Sequence, residues 1–340
     1  MDFSSDTSAA AHPAVMTAIQ AANEGSAPSY GADHWSRRAR ELLGEVFETE
    51  VAMWLVASGT AANALGLSLL CPSTDAVLCH REAHIEKDER GAVTVYSGGG
   101  QLALVDGDHG RISAETLLAR LDQNRREFVH ETPVSAVSIS NLTEAGTAYT
   151  AEQIGGLSAI AHSAEVPFHL DGARFANAVA STEETAASLS WRAGVDVMSF
   201  GGTKNGAVGC EAVILFGDLR ERQAELEIRA KRAGMMPPKM RFIAAQMCAS
   251  LEGGLWLDLA RRANGAAVKL AEILQAGGGE LVHPVDGNEV FARLPEELVA
   301  ALTNAGGRFY PWADGSYRFV CAWSTRDEEL DAVAAIVGAE

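Results

Sequence analysis

Short runs of consecutive apolar residues alternate, over most of the first 220 positions, with longer stretches whose apolar residues recur at helical spacing. Val51–Val56, Ala76–Cys79, Gln101–Val105, Val134–Ile139, Val166–Leu170, Val195–Ser199 and Ala212–Phe216 are such runs, and they predict seven strands. Ala61–Leu70, Ser113–Leu121, Ala151–Ser163 and Thr182–Ala193 predict helices between some of them. A strand that is apolar throughout has both faces covered, so the pattern predicts an α/β fold with a mostly parallel central sheet. After Asp218 the texture changes. Glu221–Ala233 predicts a charged helix, Met235–Pro238 a break, and Met240–Ala263 one long helix. A smaller α+β unit is expected beyond it, with strands near Glu289–Leu294 and Tyr317–Ala322 and a closing helix at Glu328–Val337. The boundary is expected near residue 245, which divides the chain into 1–245 and 246–340. No internal repeat and no low-complexity segment interrupts this order.

Composition narrows the class of partner. The chain is 47% apolar and 21% charged, the balance of a globular protein with a sizeable core. Its 27 basic and 45 acidic side chains leave a formal charge of −18, which repels phosphate backbones and anionic lipid. Neither nucleic-acid nor membrane binding is expected, and an anionic ligand would need a local positive pocket. No apolar run is long enough to span a bilayer, and Met1-Asp-Phe-Ser-Ser-Asp6 has neither the basic nor the apolar part of a signal peptide. Cys71, Cys79, Cys210, Cys248 and Cys321 are odd in number and form no CxxC pair, so a cytoplasmic protein with reduced thiols is expected.

Four segments can carry chemistry. Met198-Ser-Phe-Gly-Gly-Thr-Lys204-Asn-Gly206 puts a lysine in a glycine-rich turn directly after an apolar strand, where α/β proteins place ligands. Partial desolvation there frees the amine for imine formation, although a solvated turn lysine is the commoner explanation taken alone. Phe168-His-Leu-Asp171-Gly-Ala-Arg174 ends a second strand with an aspartate. A protonated pyridine nitrogen would partner a buried carboxylate at that place, and so would Arg174 across an Asp-Gly turn. Ser58-Gly59-Thr60-Ala61-Ala62-Asn63 ends a strand and opens a helix, giving free backbone N–H groups for an anion, as many unliganded helices also do. His84 follows a further strand end, where its ring could stack on a flat cofactor or serve the fold alone. Cys79, His80 and His84 lack a second cluster, so no metal is expected. Ser97-Gly-Gly-Gly100-Gln-Leu-Ala103 formally fits a dinucleotide fingerprint, but a strand-like run follows it in place of a helix. A phosphate cup, a stacking ring, a carboxylate and an imine lysine are the parts of a pyridoxal 5′-phosphate site, in the chain order of the aspartate-aminotransferase-like fold.

In these segments the chain resembles the threonine aldolase and β-eliminating lyase family of pyridoxal phosphate enzymes. The likeness runs through Ser5-Asp6-Thr7, Tyr30-Gly31-Ala-Asp33, Ser58–Asn63, Ala83-His84 with Glu89, His169-Leu-Asp171-Gly-Ala-Arg174 and Lys204. The resemblance implies that Lys204 forms the imine, Asp171 binds the pyridine nitrogen, Ser58, Gly59 and Thr60 hold the phosphate, and His84 stacks on the ring. It implies further that Ser5, Arg174 and Arg318 clamp a substrate carboxylate, and that Arg241 reaches the phosphate of a neighbouring subunit in a dimer or tetramer. The reaction implied is retro-aldol cleavage of L-threonine or L-allo-threonine to glycine and an aldehyde, with β-elimination or cleavage of phenylserine as alternatives. His84, or a water held by it and Glu89, is the expected base. Two segments depart from the family pattern. Ser8-Ala9-Ala10 follows the Ser-Asp-Thr signature, and Ser140-Asn-Leu-Thr-Glu144-Ala-Gly-Thr147 replaces the usual Leu-Glu-Asn-Thr. Both are expected beside the substrate side chain, together with Tyr30–Trp35.

Overall fold

The computed structural model describes residues 1–182 and 184–338 of the 340. The seven predicted strands all form: β1 (Ala52–Val56), β2 (Ala76–His80), β3 (Gln101–Val105), β4 (Val134–Ser140), β5 (Phe168–Gly172), β6 (Val197–Gly201) and β7 (Glu211–Leu215). They build one sheet in the order β1-β7-β6-β5-β4-β2-β3. Strand β7 runs antiparallel to both of its neighbours, and the other pairings are parallel. The C-terminal ends of β1, β2, β4, β5 and β6 therefore share one edge with the start of β7. Residues of β1, β2, β5, β6 and β7 are buried at every position, as continuous apolar runs covered on both faces must be.

Helices cover the sheet, and hydroxyl caps fix where several begin. Ser58 caps Gly59–Leu70, Ser113 caps Ala114–Leu121, and Thr150 with Gln153 forms a reciprocal capping box on Ala151–Ser163. The expected helix over Thr182–Ala193 is absent. A helix instead occupies Phe175–Thr182, and Trp191–Ala193 is one 3₁₀ turn. Between them Thr185 takes the Ser188 N–H and Ser190 bonds the Ala186 carbonyl, so hydroxyls compete with the helical ladder. The expected single helix over Met240–Ala263 is two, Arg241–Leu251 and Leu255–Ala276. Gly253 and Gly254 break it at φ of 65° and 77°, left-handed conformations that glycine adopts without steric cost. Five further helices had no predicted counterpart: Pro13–Ala22 and His34–Phe47, which pack on Arg241–Leu251, the short His84–Lys87 and Ala92–Ser97, and Glu296–Asn304.

Two large apolar cores result, beside a small cluster of Leu142, Ala148 and Ala178. The larger one surrounds the sheet. The smaller one collects Ala266, Leu270, Leu274, Val290, Leu302 and Phe319, with Phe3 of the N-terminal arm inserted among them. Leu255–Ala276 serves both, because Trp256 and Ala260 belong to the larger core. A four-stranded antiparallel sheet backs the smaller core, ordered β10 (Tyr310–Pro311), β11 (Tyr317–Val320), β9 (Glu289–Arg293) and β8 (Glu280–Leu281). Phe3 donates to the Arg308 carbonyl and accepts from Val320, so the arm is anchored on this smaller unit. From there it crosses to the ends of the large sheet. Among the described residues no helix is long and apolar enough to cross a membrane.

Candidate active site

Lys204 sits on a 3₁₀ turn, Thr203–Asn205, two residues beyond the end of β6. Glu211, buried at the start of β7, accepts from the Gly202 and Thr203 backbone N–H groups and pins this turn. Burial pushes the Glu211 carboxyl up to about 7, against the opposing pull of the Thr203 donors and Lys204. Asn205 donates to the Trp256 carbonyl from the other side. The lysine is half-buried on a turn fastened at both ends.

One strand away, Asp171 is the penultimate residue of β5, beside Ser140 of β4 and Ser199 of β6. Its Oδ1 accepts the Ala173 N–H at 3.0 Å and its Oδ2 accepts Asn63 Nδ2 at 2.7 Å. The carboxylate is 6% exposed and takes only neutral donors, the environment of a group that needs a cation from outside the chain. Asn63 Nδ2 also donates to Glu89 Oε1 at 2.9 Å, and the same oxygen lies 2.8 Å from His84 Nδ1. A chain Asp171–Asn63–Glu89–His84 thus ties the aspartate to the histidine. Its bond to Glu89 raises the His84 imidazole above its ordinary pKa despite partial burial. Asn63 Oδ1 and Glu89 Oε2 are buried without a partner. His169, the neighbour of Asp171, lies between the Ser138 and Ser199 hydroxyls. Burial lowers its pKa to about 4, so it is a neutral part of the core.

Glu144 completes this end. Its Oε1 accepts the His84 backbone N–H at 2.8 Å and the Ser140 hydroxyl at 2.7 Å. Burial pushes its carboxyl up to about 7; the Ser140 donor opposes the shift and the Asp171 charge adds to it.

The other end holds the arginines. Arg174 forks onto Asp6, Nε to Oδ2 at 2.7 Å and Nη2 to Oδ1 at 3.1 Å, and its Nη1 lies 3.5 Å from Glu289 Oε2. Arg318 Nη1 lies 4.0 Å from Glu289 Oε1, and its guanidinium rests 5.2 Å from the Trp312 ring centre. Glu289 is 2% exposed and bridges the two guanidinium groups. Burial, the largest single influence, would raise the Asp6 carboxyl, but the Arg174 and Lys204 charges and the Arg174 and Asn288 hydrogen bonds together outweigh it and the net shift is downward. Asn288 supports Asp6 with a 3.0 Å hydrogen bond.

The other expected site residues are placed as follows. Ser58 caps its helix through Ala61, and the Gly59 and Thr60 N–H groups find no partner among the described residues. Ser5 caps the turn Asp6–Ser8 and bonds Thr7, on either side of the Asp6 that pairs with Arg174. Arg241 opens its helix, donates to the Gly25 carbonyl, and keeps a buried Nε without a partner. It shares no hydrogen bond with Lys204, Asp171 or Arg174. Tyr30 hydrogen-bonds the Pro238 carbonyl and lies beside Trp54, Met240 and Glu227. Asn63, Asp6, Glu289 and Glu211 had no expected role. Glu289 and Glu211 each carried one signal, a carboxylate at the head of an apolar strand.

A family model of β-eliminating lyases matches residues 2–297. The low specificity L-threonine aldolase of a Pseudomonas species is 37% identical over 99% of this chain and 97% of its own. The solved threonine aldolase of Leishmania major superposes with a TM-score of 0.92 at 26% identity, covering 99% of this chain and 98% of that one. The aspartate aminotransferase of Thermus thermophilus is similar in fold, with a TM-score of 0.69 at 17% identity over 97% of this chain and 88% of its own.

Proposed function

The chain belongs to the β-eliminating lyase family, and from that premise we propose that it is a pyridoxal phosphate enzyme cleaving L-threonine and L-allo-threonine to glycine and an aldehyde. The observation that carries the reading is the buried Asp171 carboxylate, held by neutral donors at a strand end next to the one that leads to Lys204. A protonated pyridine nitrogen is the cation this arrangement fits. The unpartnered Gly59 and Thr60 N–H groups at a helix N-terminus suit a phosphate, and the Arg241 guanidinium would add positive charge when a neighbouring subunit brings it close. We therefore also infer a homo-oligomer of two or four chains.

In this reading Lys204 would hold the cofactor through its aldehyde, Asp171 would keep the ring nitrogen protonated, and His84, oriented by Glu89, would lie against the ring. When bound, pyridoxal phosphate supplies a sink for the electron pair left by a bond broken at Cα. Which bond breaks depends on how the chain orients Cα. Arg174 and Arg318 do this by holding the substrate carboxylate with planar donors, assisted by Ser5. Asp6 and Glu289 fix the guanidinium planes beforehand, so little rotamer entropy remains to be lost on binding. The residues that hold the cofactor lie within 1–245, and the smaller part, 246–340, contributes Arg318 and Glu289.

The test is product analysis with L-threonine, L-allo-threonine, their D-forms, serine and β-phenylserine. Glycine and aldehyde are expected from the L-forms and from phenylserine. One methyl group in an apolar pocket is worth only about 1–3 kcal/mol, so the two β-epimers are expected to differ by less than about 10³ in kcat/KM. Pyruvate and ammonia from serine without aldehyde from threonine would replace the reading with β-elimination. Turnover of D-threonine equal to that of L-threonine would remove the assigned carboxylate anchors.

A further inference from the structure

Glu144 stands where the two ends of the site meet. Its loop follows β4, its Oε1 is bound through the Ser140 hydroxyl and the His84 backbone, and Gly146 of the same loop packs against Glu289. Both protein donors go to Oε1. Oε2 accepts neither of these donors and is not among the sealed, unpartnered atoms, so it keeps some exposed surface beside His84. A substrate held at its carboxylate by Arg174 and Arg318 and at its amine near Lys204 has Cα between these groups. Its side chain then extends toward the loop that carries Glu144.

We propose that Glu144 is a catalytic acid–base residue, with Oε2 taking the proton of the substrate β-hydroxyl as the Cα–Cβ bond breaks. This deepens the aldolase reading and rests on it. The O–H bond breaks, its electron pair forms the aldehyde C=O, and the Cα–Cβ pair stays on the glycine fragment, where the bound cofactor accommodates it. Glu144 then releases this proton to water and Cα gains one by a separate route, the one that glycine exchange reports, so that threonine equals glycine plus acetaldehyde. A carboxyl pushed up to about 7 is half ionised at neutral pH, where a general base works best. The charged and titratable groups around it are Cys79, His84, Tyr149, Asp171 and Arg174, with Glu289 against Gly146 of the same loop. The bland alternative is that Glu144 merely caps the turn at His84. Glutamine distinguishes the two, because Glu144→Gln keeps an acceptor for both donors and removes only the ionisation.

The experiment compares wild type with Glu144→Gln, both loaded with cofactor, in three measurements. These are glycine affinity by absorbance titration, exchange of the glycine α-hydrogen with solvent, and the pH profile of threonine cleavage. Glycine has no β-hydroxyl, so its affinity and exchange are expected to stay within about 3-fold, while cleavage falls by about 10² or more. The rise of kcat through pH ~7 should disappear or move in the variant. Cleavage within about 5-fold of wild type, or an equal fall in exchange and cleavage, overturns the proposal. A wild type that exchanges glycine but cleaves no β-hydroxy amino acid overturns the aldolase reading itself, a separate outcome.

Discussion

The two ends of the site are both crowded with carboxylates, yet they satisfy them in opposite ways. At the ring end, Asp171, Glu89 and Glu144 lean on one amide, one hydroxyl, two backbone N–H groups and one imidazole. At the arginine end, Asp6 and Glu289 face two guanidinium groups. The first arrangement is short of positive charge and suits a ligand that brings a cation. The second is balanced before anything binds, so a substrate carboxylate must share donors already oriented by Asp6 and Glu289. One end recruits charge and the other presents it. The difference teaches that a count of acidic residues near a site says little until their donors are known.

Lys204 lies between the ends, and its loss should have the largest effect. Lys204→Ala is expected to reduce cleavage by about 10⁴ and to abolish the band near about 420 nm, and borohydride should fix the cofactor on Lys204 of the wild type. Labelling of another lysine would displace the assignment. Next comes the arginine end. Asp6→Asn strips a buried guanidinium of its bidentate partner and should destabilise the fold by about 3 kcal/mol in denaturant unfolding. A cost under about 1 kcal/mol would mean that Glu289 alone suffices. At the ring end Asp171→Asn should keep the cofactor but lower kcat by about 10² or more, since a neutral pyridine is a poor sink. Activity within a few-fold of wild type would show that Asn63 and its neighbours hold the ring by themselves.

The smallest effects are pH slopes, and they should have opposite signs at the two ends. The Asp6 carboxyl is held below its ordinary 3.8, so its stabilisation is complete above that value and is lost as pH falls through the lowered one. The Glu144 carboxyl is raised from 4.5 to about 7, so the folded state is favoured below 4.5 and loses that advantage as pH climbs through 7. His84, raised above 6.5, acts in the same direction as Glu144. In urea titrations of the cofactor-free chain, Asp6→Asn should flatten the acid slope and Glu144→Gln the slope between pH 4.5 and 7. Glu211, also raised to about 7, keeps part of the latter. Equal changes on both sides of neutrality would erase the distinction between the ends.

Lys204 and Asp171 were legible because each follows an apolar strand, and a polar residue at a strand end is a local signal. The hydroxyl caps were legible for the same reason. The Gly253-Gly254 break was overlooked because the apolar spacing continues across it, although the glycines themselves are local. Thr185, Ser188 and Ser190 ended the expected helix through side-chain bonds that periodicity does not register.

The alternation of apolar runs with helical patterns determined the seven-stranded α/β sheet, since two-sided burial leaves little other arrangement for such strands. The same pattern put the lysine and the aspartate at strand ends. Which groups meet there was decided only in three dimensions. Asp6 reaches Arg174 across 168 positions because Phe3 anchors the arm in the smaller core, and Asn63 reaches Asp171 across 108. Glu289 spans the two arginines because β9 lies beside β11. Local spacing carries no information about such encounters. Burial and hydrogen bonding to distant partners fix the charge states on which the chemistry depends, and those partners become neighbours only when the sheet, the arm and the smaller core have come together.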